Sequence, residues 1–413
     1  MNPSPHAANQ GPSMFHDKIN ISGTGCALAD FLYNGISFTN QDFKKYLSIK
    51  PGDGGLSPGK LVFTEELERF AGKSYPDIVK EIMGNRQPDA FNVGGPSLVS
   101  LIHASQLLDR QDYDVRFFGI AGADETAEKI AEILSRTPLD TQNYLFAPDS
   151  ITPFTDVLSD PEYDHGHGER TFINNIGAAW KYSPEQLTDQ FFNSDMVCFG
   201  GTALVPQIHD NLTHLLEKAR NSGCITLVNT VFDFRNEKRN PGQPWPLVKH
   251  KEDFSLIDLL IMDGTEAICI SGCKNLEEAA TFFTSTGVSS FIITNGAQEL
   301  IAWSGGGLFK NSDRIKLPVS LKVTHELMSN PMRKGDTTGC GDNFAGGIIA
   351  SVAWQLKDKK RGDFDLFAAL AWGVASGGFC CFTVGGTFVE SYPGQKREEI
   401  QSLQQDYLNQ IGA

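Results

Sequence analysis

The chain has 413 residues, 40% of them apolar and 21% charged, proportions of a folded globular protein rather than of a disordered or fibrous one. That length favours one large α/β unit with an appendage, or two domains. A formal net charge of -15 repels phosphate backbones and anionic lipid surfaces, which argues against nucleic-acid and membrane partners.

Met1 to about His16 has no basic segment leading into an apolar one and reads as a loose tail, not a signal peptide, with the folded domain over 17–413. From Lys18 onward, apolar strand-like runs alternate with helical patterns. The strand candidates are Ile19 to Gly25, Val115 to Gly122, Met196 to Thr202, Ile225 to Thr230, Leu259 to Gly264 and Phe291 to Gly296. Continuous apolar strands indicate burial on both faces, hence a mainly parallel sheet covered by helices. Leu98, Leu101, Ile102 and Leu108 share a helical face after Gly95. So do Ile208, Leu212, Leu215, Leu216 and Ala219, with Gly223 as C-terminal cap. The expected architecture is a doubly wound α/β sandwich with its ligands at the carboxyl ends of the strands. Two segments break the alternation, within 31–86 and 151–180, and are expected to supply a small β lid over that cleft. An exposed lid sheet would also offer an edge through which two subunits could pair as a homodimer.

The run Leu366 to Gly386 is uncharged and long enough to span a bilayer, but its Gly, Ala, Ser and Cys content suits a buried helix better. The cluster KDKKRGD, Lys357 to Asp363, reads as a solvated turn between two helices. The eight cysteines form no CxxC pair, and several sit in apolar runs, which fits a reducing, cytoplasmic setting.

The densest signal is KGDTTGCGDNFAGG, Lys334 to Gly347, running into a helical pattern. Gly339 and Gly341 allow backbone angles that aim successive N–H groups at one point, and the following helix adds its positive end, making an anion-binding nest. A carboxylate at such a nest repels a bound phosphate, so Asp342 makes chemical sense as the acceptor of a proton from an attacking hydroxyl. The plainer alternative is a first-turn acid stabilising the helix dipole. Elsewhere, GTGCAL at Gly23 to Leu28 begins like a dinucleotide fingerprint but lacks its third glycine, which leaves an NAD-dependent oxidoreductase poorly supported. His165 and His167 in DHGHGER read as a lid turn in preference to a metal site.

DTTGCGDNFAGG resembles the second signature, D-T-x-G-A-G-D-x-F-x-G, of the PfkB (ribokinase-like) carbohydrate kinase family. NVGGPSLVSLIHASQLL followed by VRFFGIAGADETAEKI resembles that family's first signature. The resemblance runs in order from about Ile19 to Phe388. It implies an ATP-dependent sugar kinase, with a nucleoside kinase of the same fold or a binding-only descendant as alternatives; a pure binder would have no need of Asp342. By the same resemblance Asp342 is the catalytic base, and Gly339, Cys340 and Gly341 form the anion hole. Asp336 supports the loop and a monovalent cation such as K+. DGTE matches the family's N-x-x-E, assigning Asp263 and Glu266 to Mg2+ and the phosphates, although a strand-end turn would read the same way. Thr294 and Gly296 match the strand end that approaches the nucleotide, with the stretch Ala375 to Gly386 as the adenine-side wall. Asp30 becomes a ligand of substrate hydroxyls where it could otherwise be a turn residue, Gly94 and Gly95 let the backbone approach the substrate, and Arg170 reaches in from the lid or lies exposed on its strand. Leu28 and Val99 stand where ribose-type members carry Asn, so the hydrogen-bonding set for ribose is incomplete.

Overall fold

The structure is a computed structural model and describes residues 18–50, 52–335 and 337–412. The N-terminal tail and Asp336 lie outside the described residues.

Among the described residues the strands form two sheets. The larger, of nine strands, has β1 (Ile19–Gly25), β5 (Tyr113–Gly122), β6 (Asp140–Ala147), β9 (Met196–Gly200), β10 (Ile225–Asn229), β11 (Leu259–Asp263) and β12 (Ser290–Thr294) running parallel. The pair β13 (Leu300–Ser304) and β14 (Ser312–Leu317) closes one edge antiparallel. Spatial order is β14-β13-β12-β11-β10-β9-β1-β5-β6. The sequence reading captured the six central parallel strands. It missed β6 and β14, edge strands whose exposed residues break the continuous apolar signal, and β13, which is largely buried between β12 and β14.

Alternation along each central strand splits its side chains between two cores. Met196, Cys198, Leu227, Ile261 and Ile292 join one core with the helices α4 (Pro96–Leu107), Cys340–Asp358, Leu366–Cys380 and Gln395–Ile411. Val197, Phe199, Val228, Leu260 and Ile293 join the other on the opposite face. The result is a sheet sandwiched by helices. The uncharged stretch near the C-terminus is the buried Leu366–Cys380 helix, and no helix among the described residues is long and apolar enough to cross a membrane. The helix expected from Ile208 to Ala219 is two, Pro206–Asp210 and Leu212–Asn221, broken where Asn211 leaves helical angles.

The smaller sheet has the order β3-β8-β7-β2-β4, with β2 (Leu28–Asn34), β3 (Leu61–Phe63), β4 (Ala90–Gly94), β7 (Phe154–Asp160) and β8 (Glu169–Asn175). The strands β2 and β4 reach beyond the 31–86 segment at both ends. Between them, α1 (Gln41–Lys44), α2 (Thr64–Ala71) and α3 (Tyr75–Met83) fold onto the sheet. Tyr33, Val62, Leu158 and Ile173, from one sheet face, form a separate core with Phe43, Leu67 and Ile78 of these helices. The helices are amphipathic, and the lid is where their apolar faces find cover. The opposite sheet face looks into the cleft at the carboxyl ends of the large sheet.

Candidate active site

Three chain segments meet in the cleft. The first is the glycine loop. Gly339 caps the Cys340–Asp358 helix with φ 78°, and a β-carbon on it would lie 2.4 Å from Gly386 Cα, so only glycine fits. A β-carbon on Gly341 would meet open space, and the Cys340 N–H donates to Thr337 O at 3.3 Å. First-turn N–H groups have no partner within their own helix and favour an anion. Asp342 sits on this first turn, half-buried, and burial pushes its carboxyl up to about 7. A first-turn acid whose work was to stabilise the helix dipole would be pulled the other way.

A polar cluster lies directly behind this loop, and the sequence alone did not single it out. Asn343 donates from Nδ2 to the carbonyls of Gly339 at 2.9 Å and Gly386 at 2.8 Å, tying the two close-packed glycines together. Its Oδ1 accepts from His103 Nδ1 at 2.5 Å and Lys396 Nζ at 3.1 Å. Two donors on that oxygen fix which way the amide faces. Lys396 is 1% exposed, and its ammonium also donates to Gln106 Oε1 at 2.9 Å. Burial pulls its amine down to about 7, opposed by Cys380 and Glu390. Burial and the neighbouring Lys396 charge hold the His103 imidazole well below its usual range. The adjacency of Asn343 to Asp342 was a usable signal. Lys396, on a polar C-terminal helix, gave none, since lysines are rarely buried.

The second segment is the acidic strand end of β11. Asp263 caps the helix Gly264–Ser271, accepting from Glu266 N–H at 2.8 Å while Glu266 Oε2 accepts from Asp263 N–H at 3.0 Å. This capping box is the local reason for the DGTE spacing. Glu266 is 7% exposed and also accepts from Thr230 Oγ1 at 2.5 Å. Burial first, and then the charges of Asp263 and Asp342, push its carboxyl up to about 7. Thr294 pairs in register with Asp263 on the next strand, and Gly296 follows at φ 57° with open space around it.

The third is the lid. Asn92, Asp30, Thr155 and Asn174 stand side by side across β4, β2, β7 and β8, and Ala90, Leu32, Val157 and Phe172 form the next row on the same face. Arg170 shares this face and donates to Thr338 Oγ1 in the glycine loop at 3.2 Å. Asn92 bridges likewise, from Nδ2 to Val384 O at 2.9 Å. Gly94 packs on Asp30 so closely that a β-carbon would lie 2.1 Å from Oδ2; on Gly95, at φ 97°, one would lie 2.6 Å from Cys26 O. The buried Cys26 thiol is pushed up by burial and by the charges of Asp342 and Asp30 together, so both carboxylates bear on one space. Asp342 thus bears on Asp30 through Cys26 and on Glu266 directly, and Arg170 reaches the glycine loop; Asp336 lies outside the described residues. His165 and His167 sit apart, in the exposed lid turn. After Gly25 the chain enters β2 instead of a helix, so the dinucleotide-fingerprint reading has no helix N-terminus to serve it.

Residues 89–390 match the family described as pfkB family carbohydrate kinase. A ribokinase of Staphylococcus aureus (strain COL) is 25% identical over 251 residues, 59% of this chain and 70% of that protein. Among solved structures, adenosine kinase from Schistosoma mansoni in complex with tubercidin superposes with a TM-score of 0.64 at 15% identity, covering 92% of this chain and 98% of that one. A ribokinase II from E. coli in complex with ATP and Mg2+ superposes with a TM-score of 0.59 at 16% identity, covering 94% and 99%. The family match takes in the glycine loop, the acidic strand end and the lid strands β4, β7 and β8, and leaves out β2 with Asp30, β3 and the α1–α3 insertion. This chain belongs to the pfkB family of carbohydrate kinases, phosphotransferases whose acceptor is a hydroxyl.

Proposed function

We propose that this chain transfers the terminal phosphoryl group of ATP to a hydroxyl of a sugar or nucleoside, with Asp342 as the base that takes the hydroxyl proton. The observation that carries this reading is the place of Asp342, on the first turn of the helix that Gly339 caps, where burial raises its carboxyl to about 7. A base with that affinity binds the acceptor's proton without holding it permanently. The amides of Gly339, Cys340 and Gly341 would stabilise charge on the phosphoryl oxygens as transfer proceeds. Arg170, bonded to the glycine loop, and Asn92, bonded to Val384 beyond the Leu366–Cys380 helix, support a lid that closes over the acceptor and excludes water.

The donor set fits Mg2+. Mg2+ takes oxygen ligands and keeps waters and phosphate oxygens beside one or two carboxylates. The carboxylates of Asp263 and Glu266, the latter raised by burial and its acidic neighbours, would hold it. Bound there, Mg2+ supplies neutralisation of phosphate charge. Thr294 and Gly296 would flank the nucleotide. A monovalent cation such as K+ near the segment containing Asp336 rests on the sequence resemblance, and turnover with and without K+ tests it.

On the acceptor side, Asp30 is 8% exposed amid the row Asn92, Thr155 and Asn174, and the buried Oδ1 of Asn174 has no hydrogen-bond partner. Gly94 and Gly95 admit the acceptor beside that row. Such a row suits hydroxyls, while Leu32, Val157 and Phe172 beside it suit a less polar part of the same molecule. Pairing of two copies through the lid would run along its edges β3 and β4, because α1–α3 occupy the outer face; sedimentation reads it directly. All eight cysteines are thiols, which supports a reducing compartment such as the cytoplasm. The deciding experiment measures ADP release with Mg-ATP across ketoses, aldoses, polyols, sugar acids and nucleosides, beside Asp342→Asn. Turnover with one acceptor class that collapses in the variant is expected. ATP binding without acceptor-dependent turnover would leave a binding-only protein.

A further inference from the structure

The side chain of Cys340 has a neighbour that phosphoryl transfer does not use. Its Sγ lies 3.6 Å from Cys381 Sγ, across 41 positions of chain. Cys340 opens the helix that carries Asp342, and Cys381 immediately follows the Leu366–Cys380 helix. Both are partly accessible, whereas Cys26, Cys198, Cys224 and Cys380 are buried. Cys380 also borders Cys340, but its Sγ is engaged with Thr338 O at 3.3 Å and Asn343 Nδ2 at 3.5 Å. A disulfide needs a bond of about 2.05 Å, so the Cys340 and Cys381 sulfurs are about 1.6 Å short of one.

We propose that Cys340 and Cys381 are an oxidisable pair whose reversible disulfide switches phosphoryl transfer off, an inference that rests on the glycine loop being the phosphoryl site. The oxidant is a low-molecular-weight disulfide such as oxidised glutathione. One protein thiolate attacks it, breaking its S–S bond, releasing one glutathione thiolate and forming a mixed disulfide. The second protein thiolate attacks the protein sulfur of that mixed disulfide and expels the second glutathione. Two protein thiols lose two electrons in total, the oxidant gains them, and the two protons end on the released glutathione.

Closure acts on backbone that has little room. Gly335 N–H donates to Cys381 O at 2.9 Å, a β-carbon on Gly335 would lie 1.8 Å from Thr383 O, and Gly339 abuts Gly386. Movement that side-chain rotation does not absorb falls on the Gly339 to Gly341 amides, where a displacement of about 1 Å costs on the order of 100-fold in rate. Hydrogen bonding from Cys380 and Cys381, together with burial, pushes the Cys340 thiol far above the usual thiol range, which slows its attack on a disulfide. Oxidation therefore quickens as pH rises.

The test incubates the full chain with oxidised glutathione, maps disulfides by peptide mass spectrometry and follows kinase turnover, then adds dithiothreitol. Expected are a Cys340–Cys381 cross-linked peptide two hydrogens lighter than the reduced pair, a loss of turnover of about 10-fold or more, and recovery on reduction. Cys381→Ser and Cys381→Ala are expected to resist the oxidant, each compared with its own turnover before oxidant is added. No cross-link, a cross-link to Cys380 instead, full activity in the cross-linked chain, or equal inactivation of the Cys381 variants would each overturn the proposal. Because the cross-link is read by mass, its presence in a chain without turnover would count against the kinase reading and against the switch, yet leave the pair's chemistry standing.

Discussion

The guanidinium of Arg170, on a lid strand, donates to the hydroxyl of Thr338, in the glycine loop, at 3.2 Å. The two residues are 168 positions apart, and their contact joins the lid sheet to the loop on the large sheet. Arg170→Ala should leave the fold intact, because the side chain is only partly buried and faces the cleft. It should lower kcat/KM by about 10- to 100-fold through poorer closure. Stopped-flow turnover with saturating Mg-ATP checks it; an unchanged kcat/KM would remove Arg170 from the mechanism.

A base must be unprotonated to act, and burial raises the Asp342 carboxyl to about 7. The pH profile of kcat/KM should therefore fall about tenfold per unit below that value and level off above it. Linkage gives a second readout. A carboxyl raised on folding from 3.8 to about 7 binds its proton more tightly folded than unfolded, so the fold gains stability as pH falls from 7 toward 4. Above 7 the ionised group is a cost, and Asp342→Asn should melt higher than the parent at pH 8 while losing turnover. Paired melting curves at pH 5 and pH 8 measure this, and a variant that melts lower at both would contradict it.

Lys396 touches neither cleft nor substrate, yet it holds Asn343, which holds the Gly339 and Gly386 carbonyls. Lys396→Met removes that tie while filling similar volume. Losing one buried hydrogen bond to a positioned group is worth about 1 to 2 kcal/mol, so kcat should drop roughly 10-fold. The KM for the acceptor should change less than kcat, because the cluster reaches the lid row at one step's remove, through Asn92 bonded to Val384 O and Thr387 N–H beside Gly386. A change confined to KM would place the lysine on the substrate side instead.

What the sequence disclosed, and what it hid, follows from how each residue does its work. Gly339 was legible because its φ of 78° and its closeness to Gly386 demand glycine, and Asp342 because an acid at that turn calls for a chemical role; Gly341 is not a positive-φ glycine and stands in open space, so the special backbone angle expected there is absent. Central strands such as Met196–Gly200 were legible because both faces are buried and every residue is apolar or small. The lid helices were not, because their apolar faces are short and serve a local core around Phe43 and Ile78, with no long periodic stripe to read. Lys396 and His103 stayed hidden for a different reason. Each bonds Asn343 from a separate helix distant in sequence, and no local pattern encodes such a meeting.

Gly94 tests the acceptor side without touching the loop. Its α-carbon lies so near Asp30 that an added methyl would sit 2.1 Å from the carboxylate oxygen, well inside contact distance. Gly94→Ala keeps an allowed strand conformation, because Gly94 is not among the positive-φ glycines, so the cost falls on the Asp30 side chain. Asp30 must turn away from the row it shares with Asn92 and Thr155. The overpacking itself should destabilise the chain by about 1 to 3 kcal/mol. If Asp30 receives the acceptor's hydroxyls, the acceptor KM should rise about 10-fold or more while the KM for Mg-ATP holds, since no nucleotide-side residue has moved. Calorimetric titration of Mg-ATP and of the acceptor onto the same variant separates the two. Weakening of both together would mean that Gly94 supports the whole cleft and that Asp30 is not a specific acceptor ligand.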